Sequence, residues 1–594
     1  MNNKIRNICV AAHVDDGKTT LVDELLKQSG TFRKNEVTET RMMDSMDLEK
    51  ERGITIKAKN ASFQYKDVKI NIIDTPGHKS FGSEVERSIG MIDGAILLVD
   101  AQMGPQAQTR FVLKKLLESK KKIILVVNKI DRENATPHAA VDKVFDLFME
   151  LHATNEQLDF PIVYASAKNG YAVLSLDDKR ENMEPLFQTI VKEIPPPETV
   201  ENEFFQMLIS NLDYNDYRGR VAIGKILSGK VKTGQAAVCF NRNGTKQKFT
   251  VTSIMAYKGL DRTEIEEAEG GEIVGITGVE EIEIGSSVAD SIERTPLEGI
   301  TIDPPTIRMR ILVNDSPLAG KEGKFLTARH IKDRLVRETR GNVSLEFLET
   351  EVAGAFELNA RGEMQIAVLA EQMRREGFEL MISRPEVIFK EDGGQKLEPI
   401  EDLYLEIPAD SLGGIMERIS ARKGNIVNME HHENRVSIEA IMPTRGIIGL
   451  ETELTNITSG EGVMSHLFKE YSPFKGEIEG RKRGAMVAME QGVSMAYSLN
   501  NIQERGTLFI APQEEVYKGM VIGENAKGED LFVNPCKAKQ LTNMRSQGDG
   551  KGIQLESPRK LSLERAIEYI SEDEYVEVTP LSLRLRKKNL NSRK

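Results

Sequence analysis

The sequence predicts a multidomain chain. A doubly wound α/β nucleotide-binding domain reaches to about residue 197, and a β-barrel, mixed α/β segments and a mainly β carboxyl-terminal region follow. Its 594 residues are too many for one core and imply roughly four domains. Up to residue 197, Val/Ile/Leu runs alternate with amphipathic segments, as in parallel strands covered by helices. Past an IPPPE linker, β-branched alternation broken by glycine turns takes over, which is the pattern of a barrel.

Within the first domain the strand candidates are residues 5–11, 68–73, 94–99, 122–127 and 161–164, with helical patterns at 106–118 and 138–152. In such a sheet ligands sit at the carboxyl ends of the strands. Hydrophobic residues make up 39% of the chain, enough for packed cores, so disorder is excluded. The 3 cysteines, Cys9, Cys239 and Cys536, are scattered, which suits a reducing cytosol rather than a disulfide framework. The 8 histidines form no metal-ligand spacing, and the adjacent His431 and His432 read as exposed loop or strand residues. No signal peptide or membrane-length apolar run is legible, so a cytoplasmic protein is expected. A net charge of −12 excludes a generally basic nucleic-acid coat, and any RNA contact must be local.

Five short motifs fall at the ends of the predicted strands. AHVDDGKTT (12–20) stands between a strand and a helix. There the backbone N–H groups around Asp15, Asp16 and Gly17 can face phosphate oxygens, Lys18 can reach the β- and γ-phosphates, and the Thr19 hydroxyl, followed by Thr20, can bind Mg²⁺. Ala12 replaces the usual first glycine. In RGITI (52–56), Thr55 is the candidate switch that closes on Mg²⁺ when γ-phosphate is present. In DTPGH (74–78), Asp74 can hold the metal's shell through water, Gly77 lets an N–H approach the γ-phosphate, and His78 lands beside the attacking water. In NKID (128–131), Asp131 can accept both N1–H and N2–H₂ of guanine, a pairing adenine cannot make, while Asn128 and the Lys129 stem frame the base. SAK, Ser166, Ala167 and Lys168, can present an N–H to guanine O6. Together they specify a P-loop GTPase domain that takes GTP, GDP and Mg²⁺, with Lys18, Thr55 and His78 as the catalytic candidates.

The run DSMDLEKERGITI followed by DTPGH resembles the translational GTPases, the class of elongation factors Tu and G. That resemblance implies that His78 orients the attacking water once ribosomal RNA holds it, that Val14 and Ile54 form an apolar gate beside it, and that Asp15 matches the family's aspartate. It further implies a barrel over 201–302 and two ferredoxin-like α+β domains, at 304–385 and 397–480, similar to the third and last domains of elongation factor G. The family form Gly-Arg-Gly-Glu-Leu-His departs here at Ala360, Met364 and Gln365, read as packing variation. The short connection EVIFKEDGGQKLEP leaves no room for the translocating arm, so simple translocation is not expected.

From residue 481 to 594 the chain resembles the carboxyl-terminal domain peculiar to the BipA/TypA family. This implies a ribosome-stimulated GTPase serving large-subunit assembly or translation under cold or stress. It implies contact with large-subunit rRNA and the acceptor end of A-site tRNA, and a monomer away from the ribosome. Lys537, Lys539, Arg545, Lys551, Arg559 and Lys560 crowd one loop segment and are the RNA-binding candidates. For the basic tail with Arg584, Arg586, Lys587, Lys588, Arg593 and Lys594, a solvated face and an RNA contact are both open. The alternatives are a LepA-like factor, a GTP-gated ribosome-binding switch with incidental turnover, and a GTPase acting off the ribosome.

Asp16 departs from the BipA pattern, which carries His there. A carboxylate about 8 Å from a phosphate costs about 2 kcal/mol at an effective dielectric near 20, less if the side chain points outward. Weakened nucleotide affinity is the expectation.

Overall fold

The computed structural model describes residues 2–13, 15–31, 47–52, 55, 58–75, 82–199, 204–215, 219–299, 304–342, 344–432, 434–478, 480–538 and 554–591. They divide into two compact units, one of residues 1–303 with 340–343, the other of 304–339 with 344–594.

The first unit opens with a seven-stranded sheet. Its strands are β1 (Ile5–Ala12), β2 (Lys59–Tyr65), β3 (Val68–Asp74), β4 (Gly94–Asp100), β5 (Lys122–Asn128), β6 (Ile162–Ser166) and β7 (Tyr171–Val173), in the order β2-β3-β1-β4-β5-β6-β7. Strands β3, β1, β4, β5 and β6 run parallel, with β2 and β7 antiparallel at the edges. The five runs expected from the sequence are these five parallel strands, and every residue of β1 and β4 is buried. Helices α1 (Lys18–Gln28), α2 (Asp47–Arg52), α3 (Gly82–Ile89), α4 (Ala107–Glu118), α5 (Pro137–Glu150), α6 (Asn155–Leu158) and α7 (Glu184–Glu193) fill the crossovers. Buried Leu21, Val22, Leu25 and Leu26 of α1 join Ile8, Ile70, Ile96 and Ile124 in one core.

Beyond it an eight-stranded antiparallel sheet surrounds a core of Met207, Ile226, Cys239, Ile254, Val274 and Val288, with a ribbon of Lys230–Lys232 against Glu267–Glu269. Strands from both ends of the sheet feed that core, as the barrel expectation requires. The barrel is fastened to the α/β domain by polar contacts. Ser62 and Gly259 exchange backbone hydrogen bonds of 2.9 and 2.8 Å. Buried Lys225 meets Asp93 at 2.5 Å, and the Asn7 amide donates to Asp93 and to the Gly271 carbonyl.

In the second unit, strands Ile307–Val313, Glu346–Glu349, Ala355–Ala360 and Leu380–Ser383 alternate with helices Ala328–Gly341 and Glu363–Glu376 in the order βαββαβ. The same order recurs with Gln395–Pro408, Leu412–Ala421, Asn425–His432, Arg435–Pro443, Leu450–Ile457 and Val463–Pro473. Exposed His431 lies on the strand Asn425–His432, as expected. The segments expected as separate domains at 304–385 and 481–594 share one sheet. Leu380–Ser383 pairs antiparallel with Glu574–Val578, and one core runs through both.

That junction is polar as well as apolar. Fully buried Glu577 accepts hydrogen bonds from Tyr517 (2.6 Å), Ser316 (2.8 Å), Asn314 (3.2 Å) and Arg584 (3.2 Å). No helix among the described residues is long and apolar enough to cross a membrane.

Candidate functional site

The carboxyl ends of β1 and β3 bring the phosphate-loop and Asp74 motifs together. After β1 the chain turns through Asp15 (φ 69°) and Gly17 (φ 96°), both in the left-handed region, before α1 begins at Lys18. Only glycine fits at residue 17, since a Cβ there would stand 2.6 Å from the Asn128 amide nitrogen. Lys18 is buried, and its ammonium meets three oxygens. It pairs with Asp74 Oδ1 at 2.8 Å, donates to Thr55 Oγ1 at 3.0 Å and donates to the Thr75 carbonyl. Thr55 Oγ1 also lies 3.3 Å from Asp74 Oδ2, and Thr75 is tied to Val10 on β1 by its hydroxyl at 3.2 Å. Asp74 and Thr55 are buried, Thr19 is half-buried, and Asp15 and Thr20 are exposed. Gly77, His78, Val14 and Ile54 lie outside the described residues.

The guanine-side motifs are linked to the loop by Asn128 at the end of β5. Its amide donates to the Asp16 carbonyl at 2.7 Å and accepts from the Ala167 N–H at 3.0 Å, so one buried side chain spans the NKID, SAK and phosphate-loop segments. Lys129 sits at positive φ, donates to the Asp15 carbonyl and pairs with Asp100 at 2.8 Å. Ser166 is buried, while Asp131 and Lys168 are exposed.

Two contributors went unnamed in the sequence. Thr75 lies inside DTPGH, but its carbonyl rather than its side chain meets Lys18. Asp100 ends β4 and anchors Lys129. Burial alone would raise its carboxyl, but Lys129 and the Gln102 and Met103 N–H groups hold it below the ordinary range. A lone acid closing an apolar strand, VD at 99–100, is the only signal available.

Asp16 does not point outward. It is 1% exposed, its carboxyl accepts from the His13 N–H at 3.0 Å, and burial pushes it up to about 8. Burial likewise pushes the His13 imidazole down to about 4.

The carboxyl-terminal basic candidates separate into two groups. Lys537 and Lys560 are exposed, and Lys539, Arg545 and Lys551 lie outside the described residues. Arg559 instead packs over Phe509, 5.0 Å from the ring centroid, and pairs with Glu524 at 3.1 Å. The tail reading is corrected: Arg584, Arg586 and Lys587 form the last strand of the shared sheet, neither a solvated face nor a free cationic surface. Arg586 pairs with Asp315 at 2.5 Å, and Lys587 with Asp530, Asp573 and Glu574 at 2.6, 2.8 and 2.9 Å. Lys588 is exposed, and Arg593 and Lys594 lie outside the described residues.

Known families cover most of the chain. The elongation factor Tu GTP-binding domain matches residues 3–196 and elongation factor Tu domain 2 matches 219–289. The elongation factor G C-terminus matches 395–482 and the TypA/BipA C-terminal domain matches 483–592. The chain is 48% identical to proteins named large ribosomal subunit assembly factor BipA. For that of Synechocystis sp. the match spans 99% of this chain and 98% of the relative. For those of Bacillus subtilis and Escherichia coli K12 it spans 100% and 99% of this chain, and 97% and 98% of the relatives. A crystal structure from Thermus thermophilus shares the fold at a TM-score of 0.56 and 16% identity, over 80% of this chain and 98% of that one. The amino-terminal domain is a translational-type GTPase domain, and the chain belongs to the BipA/TypA family.

Proposed function

We propose that this protein is a cytoplasmic, ribosome-stimulated GTPase that acts in large-subunit assembly or in translation under cold or stress. The observation that carries the reading is the convergence of Lys18, Thr55, Asp74 and Thr75 at the ends of β1 and β3, within a chain related over its full length to large-subunit assembly factors. Its two βαββαβ segments are read as ferredoxin-like domains and its last domain as the part that meets rRNA and the acceptor end of A-site tRNA. Away from the ribosome it is a monomer.

The site suits a magnesium nucleotide. Three oxygens of Thr55, Asp74 and Thr75 already hold one cation, the Lys18 ammonium, and oxygen ligands are what a hard divalent ion requires. Thr19, Thr55 and, through water, Asp74 would hold Mg²⁺, which when bound neutralises charge on the phosphates. Lys18 exchanges its oxygens for the β- and γ-phosphates. The turn at Asp15, Asp16 and Gly17 would cradle the phosphates with its N–H groups other than that of Asp16, which is bonded to the His13 carbonyl at 3.3 Å, and Asn128, Lys129, Asp131 and the 166–168 segment would hold guanine. Thr20 continues the first turn of α1 beside Thr19. Gly77 brings an N–H to the γ-phosphate, and His78 orients the attacking water.

Co-sedimentation of the full chain with purified large subunits tests this reading. It predicts recovery with the subunits in a non-hydrolysable GTP analogue and little in GDP. Equal recovery with both nucleotides would contradict the nucleotide gate, and recovery with neither would contradict the ribosome assignment.

A further inference from the structure

Asp16 is the member of the phosphate loop whose side chain the proposed function leaves without a task. Among the described residues its carboxyl receives one hydrogen bond, from the His13 N–H at 3.0 Å, and its own N–H returns to the His13 carbonyl at 3.3 Å. The charged groups acting on it are Asp15 from its own loop, Lys129 from the turn after β5 and Asp100 at the end of β4, while His13 meets it through its backbone N–H. Among the described residues no cation pairs with Asp16 directly. Asp15 and Asp100 are acids, and Lys129, whose charge favours the Asp16 anion, is itself paired with Asp100 at 2.8 Å and bonded to the Asp15 carbonyl, so burial outweighs it. An anion in so dry a place, with one N–H donor and no cation of its own, is costly, whereas the neutral acid is not.

The loop geometry makes this charge matter to the ligand. The Asp16 carbonyl is fixed by Asn128 at 2.7 Å, and the next two residues are Gly17, whose turn has no room for a Cβ, and Lys18. The Asp16 carboxyl cannot swing to solvent without breaking its bond from the His13 N–H, which closes the turn beside the backbone bond from the Asp16 N–H to the His13 carbonyl.

We infer that Asp16 is a positioning residue that holds the phosphate loop as an uncharged acid and thereby gates nucleotide affinity by pH, its ionisation setting a negative charge against the nucleotide phosphates. This inference rests on the nucleotide reading of the site. It replaces the expectation of weakened affinity at neutral pH, because the uncharged acid exerts no repulsion there. The sign follows from linkage. Bound phosphates raise the proton affinity of Asp16, so binding takes up a proton once the free loop has lost its own, and affinity falls as pH rises past about 8. A unit charge roughly 8 Å away at an effective dielectric near 20 limits the total loss to about thirtyfold.

The test is the dissociation constant of a fluorescent GDP for the full chain and for Asp16→Asn, measured from pH 7 to pH 9.5. The guanine ring's own titration is common to both proteins and cancels in their ratio. The expected result is that the ratio of the wild-type dissociation constant to that of Asp16→Asn rises tenfold or more between pH 7 and pH 9.5, whatever its value at pH 7. Parallel profiles overturn the inference, and absence of GDP binding by the wild type at pH 7 overturns the nucleotide reading with it. Calorimetry of both proteins at pH 9, in buffers of different ionisation enthalpy, gives a second readout, the proton uptake of the wild type in excess of that of Asp16→Asn. Excess uptake by the wild type supports the gate, and equal uptake by the two proteins refutes it.

Discussion

Gly17→Ala is the perturbation whose effect follows most directly from the geometry of the phosphate loop. Gly17 has φ 96°, where an L-residue is strained by roughly 1–2 kcal/mol. The added Cβ would also stand 2.6 Å from Asn128 Nδ2, nearly 1 Å inside ordinary contact, which begins at 3.4 Å. Asn128 cannot retreat freely, because its amide holds the Asp16 carbonyl at 2.7 Å and the Ala167 N–H at 3.0 Å. Losing one of these buried hydrogen bonds adds about 1–1.5 kcal/mol. The free loop can relax, whereas the nucleotide-bound loop cannot, so the strain of about 3 kcal/mol emerges as about a hundredfold weaker GDP binding. The assay is fluorescent-GDP titration of Gly17→Ala in the wild-type and Asn128→Ala backgrounds. Without Asn128 the clash is gone and only the backbone strain remains, about tenfold. A Gly17→Ala protein that binds GDP within threefold of wild type would refute the reasoning. An equal cost in both backgrounds would show that Asn128 is not what the Cβ meets.

Three further outcomes follow from buried polar groups. Glu577→Ala removes the acceptor shared by Tyr517, Ser316, Asn314 and Arg584, and should lower the stability of the second unit by about 3–5 kcal/mol, read as an earlier calorimetric transition; an unchanged transition would contradict the network's role. Asp16→Asn should raise the melting temperature of the α/β domain at pH 8 but not at pH 4. The folded acid keeps a proton that the unfolded chain releases, so stability is lost as pH climbs from about 4 to about 8, by on the order of 5 kcal/mol at the upper limit, and equal melting at pH 8 would count against it. His13 is shifted in the destabilising direction in acid: the unfolded imidazole takes a proton below 6.5 while the folded one resists until about 4. Up to about 3 kcal/mol is therefore lost across that window, and His13→Gln should lower the acid unfolding midpoint, which an unmoved midpoint would disprove.

The α/β domain was legible because parallel strands are buried on both faces, so the runs at β1, β3, β4, β5 and β6 read as unbroken apolar segments. Strand β2, KNASFQY, escaped notice because it is an antiparallel edge strand with a polar start and an exposed Gln64. The five motifs announced their residues but not the side chain that joins them. Asn128 was read as a frame for the base, and the structure also makes it a bracket between two loops. The shared sheet was illegible because its key pairing, Leu380–Ser383 with Glu574–Val578, joins strands far apart in the chain and leaves no local pattern. Charge alone misled at the tail, since LRLRK reads as a cationic patch until Asp315, Asp530, Asp573 and Glu574 are found beside it. Asp16 shows the same limit in reverse, because its formal charge was legible and its burial was not.

The central claim, a ribosome-stimulated GTPase, is tested most directly by GTP hydrolysis under multiple-turnover conditions. The full chain and His78→Ala would be compared alone and with purified ribosomes or large subunits. The account predicts slow hydrolysis by the chain alone, a rise of at least tenfold with ribosomal particles, and loss of that rise in His78→Ala with GTP binding retained. Hydrolysis that ribosomal particles leave unchanged, in a protein shown to bind GTP, would contradict it.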